Sequence, residues 1–177
     1  MNRTKRFNPA LAQFTGKKVV NILYVDDNPA DQCLVSELFK SRKYKFNIRG
    51  VSDGIQALAF LQKETPFHSA FTPDLILLDY NLPVKSGEEI LKEIKNDPRF
   101  KEIPVIIFSS SAVDADVRCC LKNKAHLYLT KPIDLSGFSF IVSQVEKICK
   151  KVLNESNDSS SRTLGAPLNS GPSPTRN

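Results

Sequence analysis

The sequence has no tryptophan, one methionine, two histidines and four cysteines. It also has no run of about eighteen apolar residues, the length a bilayer-spanning helix needs, so no membrane span is expected. The first eighteen residues, MNRTKRFNPALAQFTGKK, contain no apolar signal-peptide core, so a cytoplasmic protein is expected. Cys33, Cys119, Cys120 and Cys149 form no CxxC pair. Neither a disulfide framework nor a zinc site is implied. His68 and His126 lie far apart, with no other ligand-type residues beside them, which argues against a histidine-based metal site.

A basic folded face is lacking too. The net charge is +6, but residues 1–18 alone carry +5, from Arg3, Lys5, Arg6, Lys17 and Lys18. Residues 19–153 carry +1, and residues 154–177 are neutral. The excess therefore belongs to an N-terminal arm expected to be flexible. There is no recognition-helix pattern, zinc finger or aromatic RNA-binding motif, so nucleic acid is not the expected partner.

What is present is a series of short apolar runs that end on polar residues. The strongest is DLILLDYNLPVKSG, residues 74–87. Leu75 to Leu78 run straight into Asp79, and Pro83 and Gly87 then break the chain. A short apolar run bounded by turn residues is the pattern of a fully buried strand in a parallel sheet. Asp79 then stands at the strand's C-terminal end, where open α/β sheets bind ligands.

The same grammar repeats along the chain. VVNILYV, 19–25, is a strand ending in Asp26 and Asp27, and Asn28-Pro29 caps and opens a helix over 29–41. Leu34, Val35, Leu38 and Phe39 form its inner face. Residues 46–51 are a weaker strand. Asp53-Gly54 opens a second helix, with Ile55, Leu58, Ala59 and Leu61 expected inward. Ser86 and Glu89 form a capping box for a helix with Ile90, Leu91 and Ile94 at its core. VIIF, 105–108, is a strand ending at Ser109. Ser111 and Asp114 are expected to cap a helix with Val113, Val117 and Leu121 inward. Residues 126–129 are a short strand before Thr130-Lys131-Pro132, and a last helix runs from about 134 to 152. Five strands alternating with five helices over short connections predict a parallel α/β sheet with right-handed crossovers, in one domain over 19–153. In 154–177, 17 of 24 residues are Ser, Thr, Asn, Gly or Pro, and disorder is expected there.

The strand ends thus bring Asp26, Asp27, Asp79, Ser109 and Lys131 to one edge. Clustered carboxylates repel one another and need a cation. Lys131 supplies one charge, and a divalent cation would supply the rest. All-oxygen ligation points to Mg²⁺. Asp79 is then a candidate covalent nucleophile for a phosphoryl group, with Lys131 and Ser109 on the phosphoryl oxygens. Each member has a plain structural reading: Asp26 and Asp27 as helix caps, Ser109 as a turn residue, Lys131 as a solvated loop lysine. Their joint occurrence at four strand ends outweighs those readings. Pro132 is expected to force a turn, and a cis Lys131–Pro132 bond is one way to make it.

At these residues the chain resembles the receiver domain of two-component response regulators. VDD at 25–27, LLDYNLP at 77–83 with Gly87, SS at 109–110 and TKP at 130–132 match that family in order and spacing, over about residues 20–150. NPAD at 28–31 and KNDPRFKEIP at 95–104 look most like the small stand-alone regulators that serve bacterial phytochrome histidine kinases. The resemblance implies a doubly wound, flavodoxin-like sheet of strand order 2-1-3-4-5. It implies that Asp79 accepts phosphate from a sensor histidine kinase. Asp27 would ligate Mg²⁺ directly, with Asp26 helping directly or through water, and Asp79 and the Asn81 backbone carbonyl would complete the protein ligands. Ser109 and Lys131 would bind the phosphoryl group, and Tyr128 falls at the family's aromatic switch position. The fourth helix, fifth strand and fifth helix (about 114–152) would form the switching face, which in the family often pairs into a homodimer. The family more often has threonine at 109 and alanine at 110. Asn81 and Ser111 stand where side chains affect phosphoryl lifetime. The implied chemistry is that of a single-domain phosphoacceptor, limited to Mg²⁺-dependent self-phosphorylation and self-dephosphorylation.

Three other readings fit less well. A phosphatase of the haloacid dehalogenase type needs an acid two residues after its nucleophile, and this chain has Asn81 there. A flavin or nucleotide binder on the same fold needs Gly, Ser or Thr in the first loop, where Asp26 and Asp27 would repel a phosphate. A DNA-binding regulator would have only the basic arm to bind with.

Overall fold

Ten elements follow from these patterns in the computed structural model, which describes residues 19–40, 45–110 and 112–161, with backbone only for Leu135 and 150–161. They are β1 (Val19–Val25), α1 (Pro29–Lys40), β2 (Lys45–Val51), α2 (Gly54–Gln62), β3 (Leu75–Leu78), α3 (Gly87–Asn96), β4 (Val105–Ser109), α4 (Asp114–Lys122), β5 (Leu127–Thr130) and α5 (Leu135–Ser161). The basic arm expected at 1–18, Ser111 and the stretch 162–177 lie outside the described residues.

The strands form one sheet in the order β2-β1-β3-β4-β5, and every pairing is parallel. This is the doubly wound, flavodoxin-like arrangement. Each central strand is apolar on both sides because each side meets helices. Leu75 to Leu78 are all buried, as are Val105 to Phe108. Alternate residues supply two cores. Leu23, Val25, Ile76, Leu78 and Ile107 meet α2, α3 and α4. Ile22, Tyr24, Leu77, Ile106 and Phe108 meet α1 and α5.

Register then aligns the strand ends. Val25 pairs with Val51 and Leu78, Leu78 with Ile107, and Ser109 with Thr130. The next residues continue the ladder: Asp26 N–H donates to the Val51 carbonyl at 3.0 Å, Asp79 N–H to Val25 at 2.9 Å, and Lys131 N–H to Ser109 at 2.7 Å.

The local signals mostly act as expected. Asn28 caps α1 by accepting from Ala30 N–H at 3.0 Å. Asp53 caps α2. The Ser86–Glu89 capping box is complete, and Ile90, Leu91 and Ile94 are buried.

Four expectations are corrected. On α2 the inner face is Gly54, Ala57, Phe60 and Leu61, while Ile55 is exposed. The helix starts tight against α3: a Cβ on Gly54 would stand 2.3 Å from Ile90 Cδ1, and this contact turns Ile55 outward. On α4 the capping residue is Val113, with no side-chain cap bond, and Cys120 is the buried residue. Val113 and Leu121 face out. The cis bond among the described residues is Thr65–Pro66, so Lys131–Pro132 is trans. Finally, α5 runs on to Ser161, past the helix end expected near 152. Phe138, Ile141, Val142, Val145 and Cys149 anchor it. Beyond Gly137 no glycine or proline falls within it, and each further residue adds one hydrogen bond to a helix already nucleated.

Candidate functional site

Lys131 leaves the end of β5 and reaches back across the sheet edge. Its Nζ donates to Asp79 Oδ2 at 2.6 Å, Asp26 Oδ2 at 2.7 Å and Asp31 Oδ2 at 3.0 Å. Asp26 and Asp79 are buried, so these bonds are short of competing water. Burial alone would pull the Lys131 ammonium down. The hydrogen bonds that Lys131 donates to Asp26 and Asp79, and the charges of both, outweigh that, and its pKa is raised. Phe108 lies beneath the ammonium, with its centroid 5.8 Å from Nζ.

Asp79 is oriented from two sides. Oδ2 is on Lys131, and Oδ1 accepts from Asn81 N–H at 3.0 Å. The turn after it closes through Gly87, whose N–H donates to the Tyr80 carbonyl at 2.9 Å. A Cβ at Gly87 would stand 2.2 Å from the Asp79 carbonyl oxygen and 2.7 Å from Tyr80 Cα. Both are backbone atoms that cannot rotate away. Gly87→Ala is therefore expected to lower stability by about 1–3 kcal/mol, the usual range for overpacking, and to displace Asp79. Urea unfolding measures the first effect, and the Asp79 and Tyr80 amide shifts measure the second.

Asp27 is exposed and completes an acidic group. Carboxylate oxygens of Asp26, Asp27 and Asp79 lie within 4.8 Å of one another. An all-oxygen donor set of this charge suits a hard divalent cation. Lys131 contributes a single positive charge against three carboxylates, and Asp31 makes a fourth. The donor set fits a metal ion.

Ser109 is buried at the end of β4, and its Oγ accepts from Asn81 Nδ2 at 3.4 Å. Ser109 and Tyr128 project to the same face of the sheet as Ile107, by strand alternation. Tyr128 is half-buried there against the α2–α3–α4 core. Asp26, Asp27, Asp79, Asn81, Ser109 and Lys131 are thus brought together. Tyr128 stands behind Ser109 and outside the acidic group.

Three contributors were not anticipated. Asp31 looks in sequence like an ordinary acid in the first turn of a helix, where the dipole favours one. Gln32 Nε2 donates to the Asp26 carbonyl at 2.6 Å and the Val51 carbonyl at 3.2 Å, lashing the ends of β1 and β2 together. Tyr24 looks like core filling within VVNILYV. Its hydroxyl donates to Asp26 Oδ2. Burial first, then the Asp26 charge, push the phenol's pKa up, so it stays a donor.

Known proteins resemble this chain in sequence and fold. The response regulator receiver domain family matches residues 22–140. The response regulator Rcp1 of Synechocystis sp. is 38% identical over 125 residues, covering 71% of this chain and 85% of that protein. A crystal structure of Rcp1 in its Mn²⁺-bound form superposes with a TM-score of 0.68 at 38% identity, over 72% of this chain and 91% of the other. The phosphorylated cyanobacterial phytochrome response regulator RcpA superposes with a TM-score of 0.69 at 38% identity, over 73% and 93%. The fold, the acidic edge with its lysine, and these matches together show that the chain belongs to the response regulator receiver domain family of two-component signalling.

Proposed function

We propose that this receiver domain takes a phosphoryl group from a sensor histidine kinase onto Asp79, with Mg²⁺, and that the adduct changes the α4-β5-α5 face. The observation that carries the reading is the contact of Lys131 Nζ with both Asp26 and Asp79 beside an exposed third carboxylate, Asp27. In the transfer, an Asp79 carboxylate oxygen forms a bond to phosphorus as the bond from phosphorus to the kinase histidine nitrogen breaks. The electron pair leaves with that nitrogen. Asp26, Asp27, Asp79 and the Asn81 carbonyl would hold Mg²⁺, which supplies charge neutralisation at the phosphoryl oxygens. Lys131 binds one phosphoryl oxygen and Ser109 Oγ donates to another.

Phosphorylation adds roughly two negative charges at Asp79. Lys131 and Ser109 are drawn toward them, and Tyr128, on the same sheet face, turns into the space behind Ser109. Exposed apolar residues on this side, Leu121 on α4 and Phe140 on α5, give a homodimer surface something to bury. The similarity to phytochrome response regulators favours a phytochrome-like kinase. Among the described residues no helix is long and apolar enough to cross a membrane, which suits a cytoplasmic partner of such a kinase.

The test is beryllofluoride, a phosphoryl mimic, with Mg²⁺. Amide shifts at Ser109, Tyr128 and along α4 and α5 are expected, together with a shift toward dimer by light scattering. Shifts confined to Asp26, Asp27 and Asp79 would contradict the switch.

A further inference from the structure

Every polar group of Asp26 is engaged. Its N–H donates to Val51 and its carbonyl accepts from Gln32. Oδ1 accepts from Asn28 N–H at 2.9 Å. Oδ2 accepts from Lys131 Nζ and from the Tyr24 hydroxyl. Tyr24 is fully buried, with its ring 6.4 Å from that of Phe108. Its in-register neighbour on β3 is Leu77, an aliphatic residue in the same core. Packing at this depth therefore requires no hydroxyl, and the one present is aimed at an acid of the site.

The two donors on Oδ2 are not equivalent. Lys131 is shared with Asp31 and Asp79 and, in the reaction proposed above, turns to the phosphoryl group. Tyr24 comes from inside the core, two residues before Asp26 on the same strand. Neither a cation nor a phosphoryl group approaches from that side. Each carboxylate oxygen has two lone pairs. Tyr24 and Lys131 fill those of Oδ2, while Oδ1 keeps one beside its bond from Asn28.

We propose that Tyr24 is a positioning residue for the metal site: its hydroxyl holds the Asp26 carboxylate so that Oδ1 keeps a lone pair for the divalent cation. It stays as Asp26's donor when Lys131 moves to the phosphoryl group. This rests on the reading of the acidic edge as a divalent-cation site. Groups that hydrogen-bond a ligating carboxylate typically contribute 10–100-fold to metal affinity.

The test is Mn²⁺ titration of the full chain, following free Mn²⁺ by electron paramagnetic resonance. The variants are Tyr24→Phe, which keeps the ring, and Phe39→Leu, which loosens the same core through α1 without touching the site. Tyr24→Phe is expected to raise Kd by about 10- to 100-fold. Phe39→Leu should stay within about twofold of wild type. With no tryptophan in the chain, the near-ultraviolet band is tyrosine, and Mn²⁺ should perturb it in wild type and much less in Tyr24→Phe. A smaller rise in Kd for Tyr24→Phe, or an equal loss in Phe39→Leu, overturns the proposal. Failure of the wild type itself to bind Mn²⁺ would instead overturn the cation site on which the proposal rests.

Discussion

Asp79→Asn is expected to abolish phosphoryl uptake while leaving the fold intact. An amide has no anionic oxygen to attack phosphorus, and among the described residues no other carboxylate has the same setting. Asp26 is buried beneath Lys131, Tyr24 and the Asn28 amide, and Asp27 is exposed. The substitution also removes one negative charge from a crowded group. Lys131 keeps Asp26 and Asp31 as partners. The new amide can accept from either Lys131 or Asn81 but must turn its NH₂ toward the other, which costs one hydrogen bond, about 1 kcal/mol. Relief of like-charge repulsion acts in the opposite direction. A melting temperature within a few degrees of wild type, with complete loss of label transfer from a phosphorylated histidine kinase, is the expected pair of results. Transfer at an undiminished rate would place the acceptor elsewhere.

Lys131→Met should have the largest effect on stability. Methionine keeps much of the stem but removes the cation shared by Asp26, Asp31 and Asp79. The lysine side chain is only 11% exposed, so little solvent is available to replace it. Removing one partner of a buried ion pair costs about 3–5 kcal/mol, because the remaining charge is left uncompensated. That loss is expected in the presence of a chelator. A divalent cation should then stabilise the variant more than the wild type, since it no longer shares the carboxylates with an ammonium and binding to the folded state adds stability by mass action. Thermal unfolding with EDTA and with Mg²⁺ measures both effects. Equal stability of variant and wild type in EDTA would mean that Lys131 is not the counter-charge the geometry makes it.

The acidic edge was legible in the sequence because its members sit at strand ends, where a run such as LILL or VIIF stops on a polar residue. Period and turn chemistry place such residues without any knowledge of side-chain contacts. What was not legible depends on direction within a packed core. Tyr24 and Leu77 occupy in-register core positions, and only the three-dimensional arrangement shows that the Tyr24 hydroxyl meets Asp26. Asp31 was hidden for a related reason: its position already has a good local explanation in the helix dipole. The orientation of α2 and α4 was missed because apolar spacing counts residues but not the space a neighbour leaves. Gly54 lets α2 close onto Ile90 and turns Ile55 outward. On α4, Cys120 takes the core position and Leu121 is left on the surface. Leu121 lies on α4, part of the face proposed to switch, where an unburied apolar side chain has a use.

The central claim is that this acidic edge accepts a phosphoryl group. Intact mass of the wild-type chain after incubation with acetyl phosphate, in Mg²⁺ and in EDTA, followed by incubation with a phosphorylated histidine kinase, tests it most directly. A single phosphoryl increment that needs Mg²⁺, survives acid and is lost in base is the predicted result. No increment from either donor, or one that forms equally well in EDTA, would contradict it.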